Sequence, residues 1–489
     1  MRFQLSLVPT VPIKSRRLQL IVEPVSRVPN PSDASLNCSP WSSAVRGPDG
    51  TQLRHCRCRP ADPKPLEALK LVFSFVLRAR TKVLLTEKIN LRGGRNCWRD
   101  ERRPHPSDPL RHASDVVVIG AGVMGAMVAQ RLAHNGMDVA VLDQRVPASG
   151  ATAASTALVM WGADTPLIHL TKMVGEEQAI ARWRSVFEAV SALDRVVREN
   201  DIACNWMARP ELYLAGDVLG ADGLQSELEL RRKAGLPSEF LEGGAVMERF
   251  EIASRPALLS AGSYEVDPVA LTRGLLKSAY AAGATVTYPV VVERLEPVRD
   301  GIAIFCETGE RIQARHVVLA TGYEAARFFL PSHYSLSSSF AIASRPGEAP
   351  AWKENALIWE SSDPYLYARA TADGRIIIGG EDEDFVDAER RDALIGEKSA
   401  TLERKAAGLL ERDDIKFDCA WASTFGGSPD GLPAIGAARN MDRVYLAYGF
   451  GGNGITFAAL GSRIIEGILR GTPEAFSSGF DPYRPVHIE

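Results

Sequence analysis

The sequence predicts an α/β protein with two domains, one built around a parallel sheet and one of the α+β class that contains an antiparallel sheet. Three observations support this prediction. A strand–helix–strand pattern covers residues 115–143, a buried strand ends in a small turn at residues 317–322, and residues 340–384 show the alternation of antiparallel strands. The chain has 489 residues, of which 45% are hydrophobic and 24% charged, so it is long enough for two or three domains or for one large composite domain.

The first pattern, residues 115–143, has the sequence DVVVIGAGVMGAMVAQRLAHNGMDVAVLD. Gly120 permits a tight turn after the strand, Gly122 lets the backbone approach a pyrophosphate, and Gly125 lets helix and strand pack closely. Asp143 lies 23 residues after Gly120, where a carboxylate can accept hydrogen bonds from ribose hydroxyls. The stretch therefore predicts a Rossmann-type dinucleotide site, although this motif alone does not distinguish NAD from FAD.

Residues 1–113 differ in composition from the rest of the chain. They carry 21 basic and 9 acidic residues, whereas residues 114–489 carry 36 basic and 51 acidic residues. They show no sustained helix or strand period, and the pair Cys56 and Cys58 has no second pair at metal-ligand spacing. A disordered tail, a targeting arm and translated sequence upstream of the true start are alternatives, of which we favour the third. We expect no function here, and we expect a chain that begins near Ser114 to fold and bind its dinucleotide.

Composition also excludes several classes of protein. The acidic body argues against a nucleic-acid partner. No apolar run approaches the ~18 residues of a membrane span, and the first residues lack the apolar core of a signal peptide. Three isolated cysteines, Cys204, Cys306 and Cys419, are typical of a reducing compartment. We therefore expect a cytoplasmic protein with no metal and no integral membrane segment.

The elements after Asp143 can be placed in order. A small-residue loop, GATAASTA at residues 150–157, follows Asp143 closely, and its hydroxyls and bare backbone suit a flat ring or a phosphate. Helices are predicted at residues 167–200, 224–234, 268–283, 387–412 and 456–469, and strands at residues 211–214, 290–298, 301–307, 317–322, 365–369, 376–380, 417–421 and 444–449. A second glycine-rich loop, residues 449–456, enters the last helix, whose N-terminus can stabilise an anionic or electron-rich group.

Four motifs in this order resemble one family: VIGAGVMG with Asp143, GATAAST, VVLATG at residues 317–322, and GFGGNGIT at residues 449–456 after SPDGLPAIG at residues 428–436. The set resembles the FAD-dependent D-amino-acid oxidase superfamily, which includes glycine, sarcosine and D-amino-acid oxidases and dehydrogenases. NAD enzymes share only the first motif, so the resemblance implies FAD. It also implies a Rossmann-type FAD-binding domain at residues 114–200, 262–335 and 418–475, a substrate domain at residues 201–261 and 336–417, and a C-terminal tail at residues 476–489.

The resemblance assigns the cofactor-binding residues. The glycine turn would hold the pyrophosphate, the small-residue loop would line the phosphates and ring, and the last helix would face the flavin's pyrimidine edge, where its dipole stabilises the reduced ring. The residues implied are Gly120, Ala121, Gly122, Val123, Met124, Gly125, Asp143, Gln144, Thr152, Ala153, Ala154, Ser155, Val291, Val292, Thr321, Gly322, Gly451, Gly452, Asn453, Gly454, Ile455 and Thr456.

The implied reaction is oxidation of the C–N bond of a small amine or amino acid by hydride transfer to flavin N5, with oxygen or an electron carrier as the final acceptor. Strand alternation puts Tyr365, Tyr367 and Arg369 on one face, and these are the substrate-pocket candidates. Glycine-oxidase-like members often carry Leu-Arg-Pro before the PDG turn, whereas residues 421–426 here are WASTFG. Either Arg369 binds a carboxylate, or the substrate has no α-carboxylate, or Arg369 is merely a solvated residue.

Two further alternatives stay open at this point. A flavin-stabilised assembly or binding protein without turnover would leave Tyr365, Tyr367 and Arg369 facing solvent. Cys419 shares a strand face with Trp421 and could attach the flavin covalently, as in sarcosine-oxidase-like relatives. An isolated cysteine in an apolar strand is usually a small buried residue, so we expect non-covalent FAD.

Overall fold

The computed structural model describes residues 90–98, 105–324 and 329–485, all within one compact unit, Thr81–Glu489. Cys56, Cys58 and the predictions for residues 1–89 lie outside these ranges. Within them, no helix is both long and apolar enough to cross a membrane. The same residues contain no group of three or more His, Cys, Asp or Glu side chains arranged to hold a metal ion.

The elements of the described chain are numbered here in chain order. The helices are α1 Val123–His134, α2 Leu167–Val174, α3 Glu176–Glu199, α4 Ala221–Lys233, α5 Gly243–Phe250, α6 Pro268–Ala281, α7 Ala388–Ala393, α8 Ile395–Leu410 and α9 Gly454–Leu469. The strands are β1 Arg92–Arg95, β2 Ala113–Ile119, β3 Val139–Leu142, β4 Leu158–Val159, β5 Met207–Leu214, β6 Ser238–Leu241, β7 Ala257–Glu265, β8 Thr285–Thr287, β9 Val292–Val298, β10 Gly301–Cys306, β11 Arg311–Leu319, β12 Ser335–Ser344, β13 Leu357–Glu360, β14 Leu366–Ala370, β15 Ile376–Glu383, β16 Phe417–Gly427, β17 Ala434–Ala437 and β18 Val444–Tyr448.

The first sheet has the order β17-β18-β11-β2-β3-β8. The strands from β18 to β8 run parallel, and the hairpin β9–β10 continues from β11. Val116 to Ile119 are buried on both faces of the sheet, as the continuous apolar run predicts. Helices α1, α3, α6 and α9 pack together on one face in a single apolar cluster. The predicted Rossmann-type α/β fold is confirmed.

The second sheet has the order β1-β16-β12-β15-β14-β13-β5-β7-β4, with β6 added beside β7. Its pairs are antiparallel except β13 with β5. Helices α5 and α8 bury Val246, Phe250, Leu402 and Leu409 against it. This is the predicted α+β domain, but its sheet is wider than the predicted boundaries allow.

The predicted boundary at residue 418 does not hold for β16. That strand pairs along its length with β12, from Phe417 opposite Ser344 to Gly427 opposite Ser335. It therefore belongs to the second sheet rather than to the FAD-binding domain. Strand β4, in the segment predicted to be wholly nucleotide-binding, likewise pairs with β7. Both strands therefore belong to the second sheet, and both contribute residues to the wall of the cavity that the two sheets share.

Residues 90–98 and 105–113 also depart from the prediction of a structureless extension. Strand β1 pairs antiparallel with β16, and the backbone N–H of Asp108 donates to Val286 O at 3.0 Å. The Asp108 carboxylate in turn accepts from Val286 N at 2.8 Å. The sequence of β1 is RGGR, which lacks any apolar alternation, so backbone pairing alone makes it a strand. A chain that begins near Ser114 would lose this edge of the second sheet.

The C-terminal segment, predicted as a tail, is part of the packed structure up to residue 485. Phe480 is fully buried, and Arg484 forms a bidentate ion pair with Asp430, with N–O distances of 2.6 and 2.8 Å. Arg182 of α3 adds a third contact to Asp430 at 3.4 Å. Asp430 belongs to the PDG turn between β16 and β17 and has no exposed surface. The turn, α3 and the C-terminal segment are thus held together by one buried carboxylate.

Candidate active site

A cavity is lined from both sheets, with the glycine turn after β2 at one end and the tyrosines around β14 at the other. Most of the predicted cofactor residues lie in its wall. They are Gly120, Gly122, Val123, Met124, Asp143, Gln144, Thr152, Ala154, Ser155, Val291, Val292, Thr321, Gly322, Gly451, Gly452, Asn453, Gly454 and Ile455. These positions are spread over more than 330 residues of sequence, so the fold brings together what the four motifs indicated separately.

Four of the predicted cofactor-binding residues do not line the cavity: Ala121, Gly125, Ala153 and Thr456. The backbone N–H of Ala121 donates to the Asp143 carboxylate at 2.6 Å. Thr456 donates its hydroxyl to the carbonyl of Met160 at 2.7 Å. A Cβ atom at Gly125 would overlap the carbonyl oxygen of Gly120, which is the close helix–strand approach expected of the third glycine. These residues support the site without facing a ligand.

The glycine turn fits a pyrophosphate. Gly120 has φ +112°, and a side chain there would meet the carbonyl of Ala320. A Cβ atom at Gly122 would have only the Thr152 hydroxyl near it, at 3.2 Å, because the turn faces the cavity. That hydroxyl accepts from the backbone N–H of Val123 at 3.1 Å. Bare backbone and the N-terminus of α1 are therefore available to an anion.

The Asp143 carboxylate fits the ribose position that the sequence predicts. It accepts backbone N–H bonds from Ala121 at 2.6 Å and Arg145 at 2.7 Å. Burial raises the pKa of Asp143, and these two bonds lower it in part. Beside it the Arg145 guanidinium forms an ion pair with the buried carboxylate of Glu324, which also accepts from Gln144 at 2.9 Å. Arg145 and Glu324 lack a sequence signal, since only the fold makes them neighbours.

The second glycine-rich loop closes the opposite side of the cavity. The Asn453 amide donates to the carbonyl of Gly162, and the backbone N–H of Gly452 donates to Asp164 Oδ2 at 2.5 Å. Gly451 has φ +100°, and its N–H donates to the carbonyl of Gly426 at 2.7 Å. The loop is therefore fixed at three points, and it delivers the N-terminus of α9 to the cavity wall.

The tyrosine end of the cavity is aromatic. Tyr365 and Tyr367 both line it, with ring centroids 6.0 Å apart, and Trp359 and Trp421 join them. The Tyr365 hydroxyl donates to Asp382 at 2.7 Å. Burial raises the pKa of Tyr367 to about 12, so its phenol is a neutral donor at physiological pH. The alternation that predicted these two tyrosines together is confirmed by their shared position.

Asp164 is the acidic residue of the cavity lining whose charge acts on Tyr365, and sequence reasoning missed it. Its side chain is exposed in the cavity wall, and desolvation by the surrounding protein raises its pKa to about 6. The Gly452 N–H lowers that pKa in part, and the charge of Asp382 raises it. A carboxyl group with this pKa is ionised at neutral pH and can still accept a proton. No motif marks Asp164, because its position depends on the loop after β4 meeting the loop before α9.

Arg369 is neither a carboxylate clamp in this cavity nor a solvated residue. It is only 2% exposed, and it donates to the carbonyls of Ala157 at 2.5 Å, Val266 at 3.0 Å and Ala370 at 3.0 Å. Its guanidinium lies 5.4 Å from the ring of Trp98 and borders a second, polar cavity. Strand alternation gave the correct face, but the end of the small-residue loop occupies the space next to Arg369. The structure therefore does not bring Arg369 into the cavity wall with Tyr365 and Tyr367.

The fold and the cavity together define a class of protein: one in which a Rossmann-type sheet and a second, mostly antiparallel sheet line a common cavity. The chain belongs to the DAO family, described as FAD dependent oxidoreductase, whose model matches residues 115–466. The protein is thus an FAD-dependent oxidoreductase, and the family resemblance of the sequence is confirmed.

Named relatives agree with this assignment. A probable oxidoreductase, OrdL, of Haemophilus influenzae is 23% identical over 76% of this chain and 86% of its own length. The gamma-glutamylputrescine oxidoreductase of Escherichia coli is 24% identical over 76% of this chain and 88% of its own length. The crystal structure of glycine oxidase from Geobacillus kaustophilus superposes with a TM-score of 0.63 at 22% identity, covering 78% of this chain and 100% of that one. At this identity the structural likeness supports the fold.

Proposed function

We propose that the protein uses FAD to oxidise the C–N bond of a small amine whose binding does not require an α-carboxylate. The observation that carries this proposal is the charge at the aromatic end of the cavity. Asp164 is open to the cavity there, among Trp359, Tyr365 and Tyr367. Among the described lining residues the one arginine or lysine is Arg145, which is ion-paired with Glu324 beside Asp143. An anionic, aromatic wall favours an ammonium group.

FAD, when bound, supplies the hydride acceptor for this chemistry. Its pyrophosphate would be held by the turn at Gly120 and Gly122, its ribose by Asp143, and its ring by the small-residue loop and the N-terminus of α9. Asp164 would hold the substrate ammonium and accept a proton from it, which the pKa of about 6 allows. The tyrosines and tryptophans exclude water. Electrons would pass on to oxygen or to an electron carrier.

Two alternatives are less well supported. A binding protein without turnover would leave the tyrosine face open to solvent, whereas Tyr365 and Tyr367 are half-buried in the wall of the cavity and Arg369 is buried. An amino-acid oxidase is less favoured, because the described lining residues offer the carboxylate no arginine or lysine other than the ion-paired Arg145, and Arg369 is bound to three backbone carbonyls. A cytoplasmic location stays part of the proposal, supported by the reduced thiols of Cys97, Cys306 and Cys419 in the described chain.

We expect Asp164→Asn to lower kcat/KM for amines about ten- to a hundredfold, because a charge-assisted hydrogen bond is replaced by a neutral one. The measurement is anaerobic bleaching of the flavin absorbance with pairs of amines and the matching α-amino acids. Asp300→Asn, at an exposed turn between β9 and β10, is the matched control and should behave like the native protein. Faster bleaching by amino acids than by the matching amines would contradict the proposal.

The same carboxylate gives a pH signature. With a pKa of about 6, Asp164 is ionised above pH 6 and protonated below it. The titratable groups that interact with it are Asp382, Tyr213, Tyr323 and Tyr365, of which the phenols stay neutral in this range. The acid limb of kcat/KM should therefore fall about tenfold per pH unit below about pH 6. That limb should be absent in Asp164→Asn.

We also propose that FAD is held without a covalent bond. Cys419 is 3% exposed, packs in an apolar cluster with Cys97 and Trp421, and does not line the cavity. Burial raises the pKa of its thiol, which disfavours the thiolate needed for attachment. Acid precipitation should therefore release the yellow colour into the supernatant. Colour that stays with the pellet in the native protein and leaves it in Cys419→Ala would contradict this prediction.

A further inference from the structure

We propose that residues 90–98, the N-terminal arm, act as a clasp that fixes the small-residue loop in the conformation that binds FAD. The arm lies upstream of residues 115–466, which the family model covers. It nevertheless reaches the cofactor cavity, where Leu91 forms part of the wall and is 5% exposed. The proposal rests on FAD occupying that cavity.

Side chains of the arm donate hydrogen bonds to backbone carbonyl oxygens of the small-residue loop and of the residue that precedes it. The Asn96 amide donates to the carbonyl of Ala153 at 2.8 Å, and the Trp98 indole N–H donates to that of Ser155 at 2.7 Å. Between them, the carbonyl of Ala154 accepts from the indole of Trp421 at 2.9 Å. Three successive carbonyls are therefore held by side-chain donors, and the arm supplies two of the three. Arg92 adds a bond to the carbonyl of Ser149 at 3.1 Å.

The opposite side of the loop faces the cofactor. Thr152 lines the cavity and bonds to the N-terminus of α1, and Ala154 and Ser155 also line it. A loop of small side chains has little packing of its own to hold it in one conformation. The hydrogen bonds donated by the arm therefore hold the small-residue loop in its FAD-binding conformation before FAD arrives. Such preorganisation lowers the conformational free energy that binding must spend on ordering the loop.

The arm is also hydrogen-bonded to β16 of the second sheet and to α7. Leu91 O accepts from Thr424 N at 2.8 Å, and the buried Arg391 donates to Asn90 O at 2.8 Å. Gly93 and Gly94 have no room for side chains, which would meet Asp392 and the backbone of β16. The arm consequently lies flat against β16, whose Trp421, Ser423 and Thr424 line the cavity. The arm therefore connects β16 of the second sheet to the small-residue loop, which follows β3 of the first sheet.

Arg369 completes the clasp from the far end of the loop. It donates to the carbonyl of Ala157, the last residue of the small-residue loop, and its guanidinium lies 5.4 Å from the Trp98 ring. Its burial with three carbonyl acceptors fixes its position. The tryptophan is thus held from one side by Arg369 and bonds on the other to Ser155, so the arm and loop order each other.

The test uses the full-length protein stripped of flavin and titrated with FAD. The double variant Asn96→Ala/Trp98→Phe removes both loop donors but keeps a ring beside Arg369. We expect the Kd for FAD to rise about ten- to a hundredfold through faster dissociation. The unfolding temperature of the flavin-free double variant should fall only slightly more than that of the flavin-free Trp352→Phe protein. That control removes the indole bond of Trp352 to the carbonyl of Ala356, remote from the cavity.

The single variant Trp98→Phe keeps the proposal testable if the double variant fails to fold, and it should raise the Kd severalfold. A Kd unchanged from the native protein in Trp98→Phe would overturn the proposal, as would an equal rise in Trp352→Phe. If the native protein binds FAD and oxidises amines while both arm variants bind FAD equally well, the clasp is wrong and the proposed function stands. If the native protein does not bind FAD, both are wrong.

Discussion

Replacing Gly122 with leucine should abolish FAD retention, with binding weakened at least a hundredfold. The turn offers a pyrophosphate bare backbone at this position, and a side chain there would occupy the space next to Thr152 that the ligand needs. The backbone at Gly122 is extended, with φ −77°, so leucine fits the conformation and only the approach of the ligand is blocked. The measurement is the flavin absorbance that stays with the protein through gel filtration.

Gly396→Leu provides the matched control for this change. Gly396 lies near the start of α8, away from the cavity, with no atom within 4 Å of an added Cβ and no positive φ. The control protein should elute fully yellow. A fully yellow Gly122→Leu protein would show that the cofactor does not lie along this turn.

The second large effect concerns stability rather than binding. Asp430→Ala should lower the free energy of unfolding by about 3–5 kcal/mol, because it leaves two buried guanidinium groups, those of Arg484 and Arg182, without their carboxylate. The C-terminal segment, held to the PDG turn by Arg484, should become the first part to exchange its amide hydrogens. Denaturant unfolding of the flavin-free protein measures the loss.

Asp414→Ala is the comparison for Asp430→Ala. Asp414 also forms a two-point ion pair with an arginine, Arg412, but this pair is exposed to solvent. Its removal should change stability little, since exposed pairs are screened by water. Equal losses in the two variants would mean that burial of Asp430 contributes nothing.

The parts of the site that follow from local sequence were predictable. Gly120, Gly122 and Asp143 belong to one strand–helix–strand unit, in which spacing alone determines where each residue lies. The tyrosine pair was predictable because strand alternation fixes the face of a side chain. The second glycine loop was predictable from the strand before it and the helix after it. Each of these inferences depends on fewer than ~30 residues of contiguous sequence.

The remaining features depend on contacts between distant segments. Asp164 and Glu324 belong to no motif, and their roles arise where chain segments far apart in sequence meet. Strand β1 has no strand-like composition and exists because β16 offers it an edge. Arg369 shows what strand alternation cannot predict. Alternation identifies the face of the sheet on which a side chain lies, but not whether a cavity extends as far as that side chain. Periodicity carries no information on such tertiary neighbours.

The discontinuous order of the first sheet has a consequence for biosynthesis. Strand β2 is synthesised long before β18, which completes its sheet, and long before α9, whose N-terminus lines the cavity. The bond between Ser423 and Leu91 joins residues 332 positions apart. A nascent chain therefore cannot bind FAD across the whole cavity until residues 454–469 have been synthesised, and such long-range closure is slow. Flavin present while these distant segments assemble should therefore increase the yield of active enzyme.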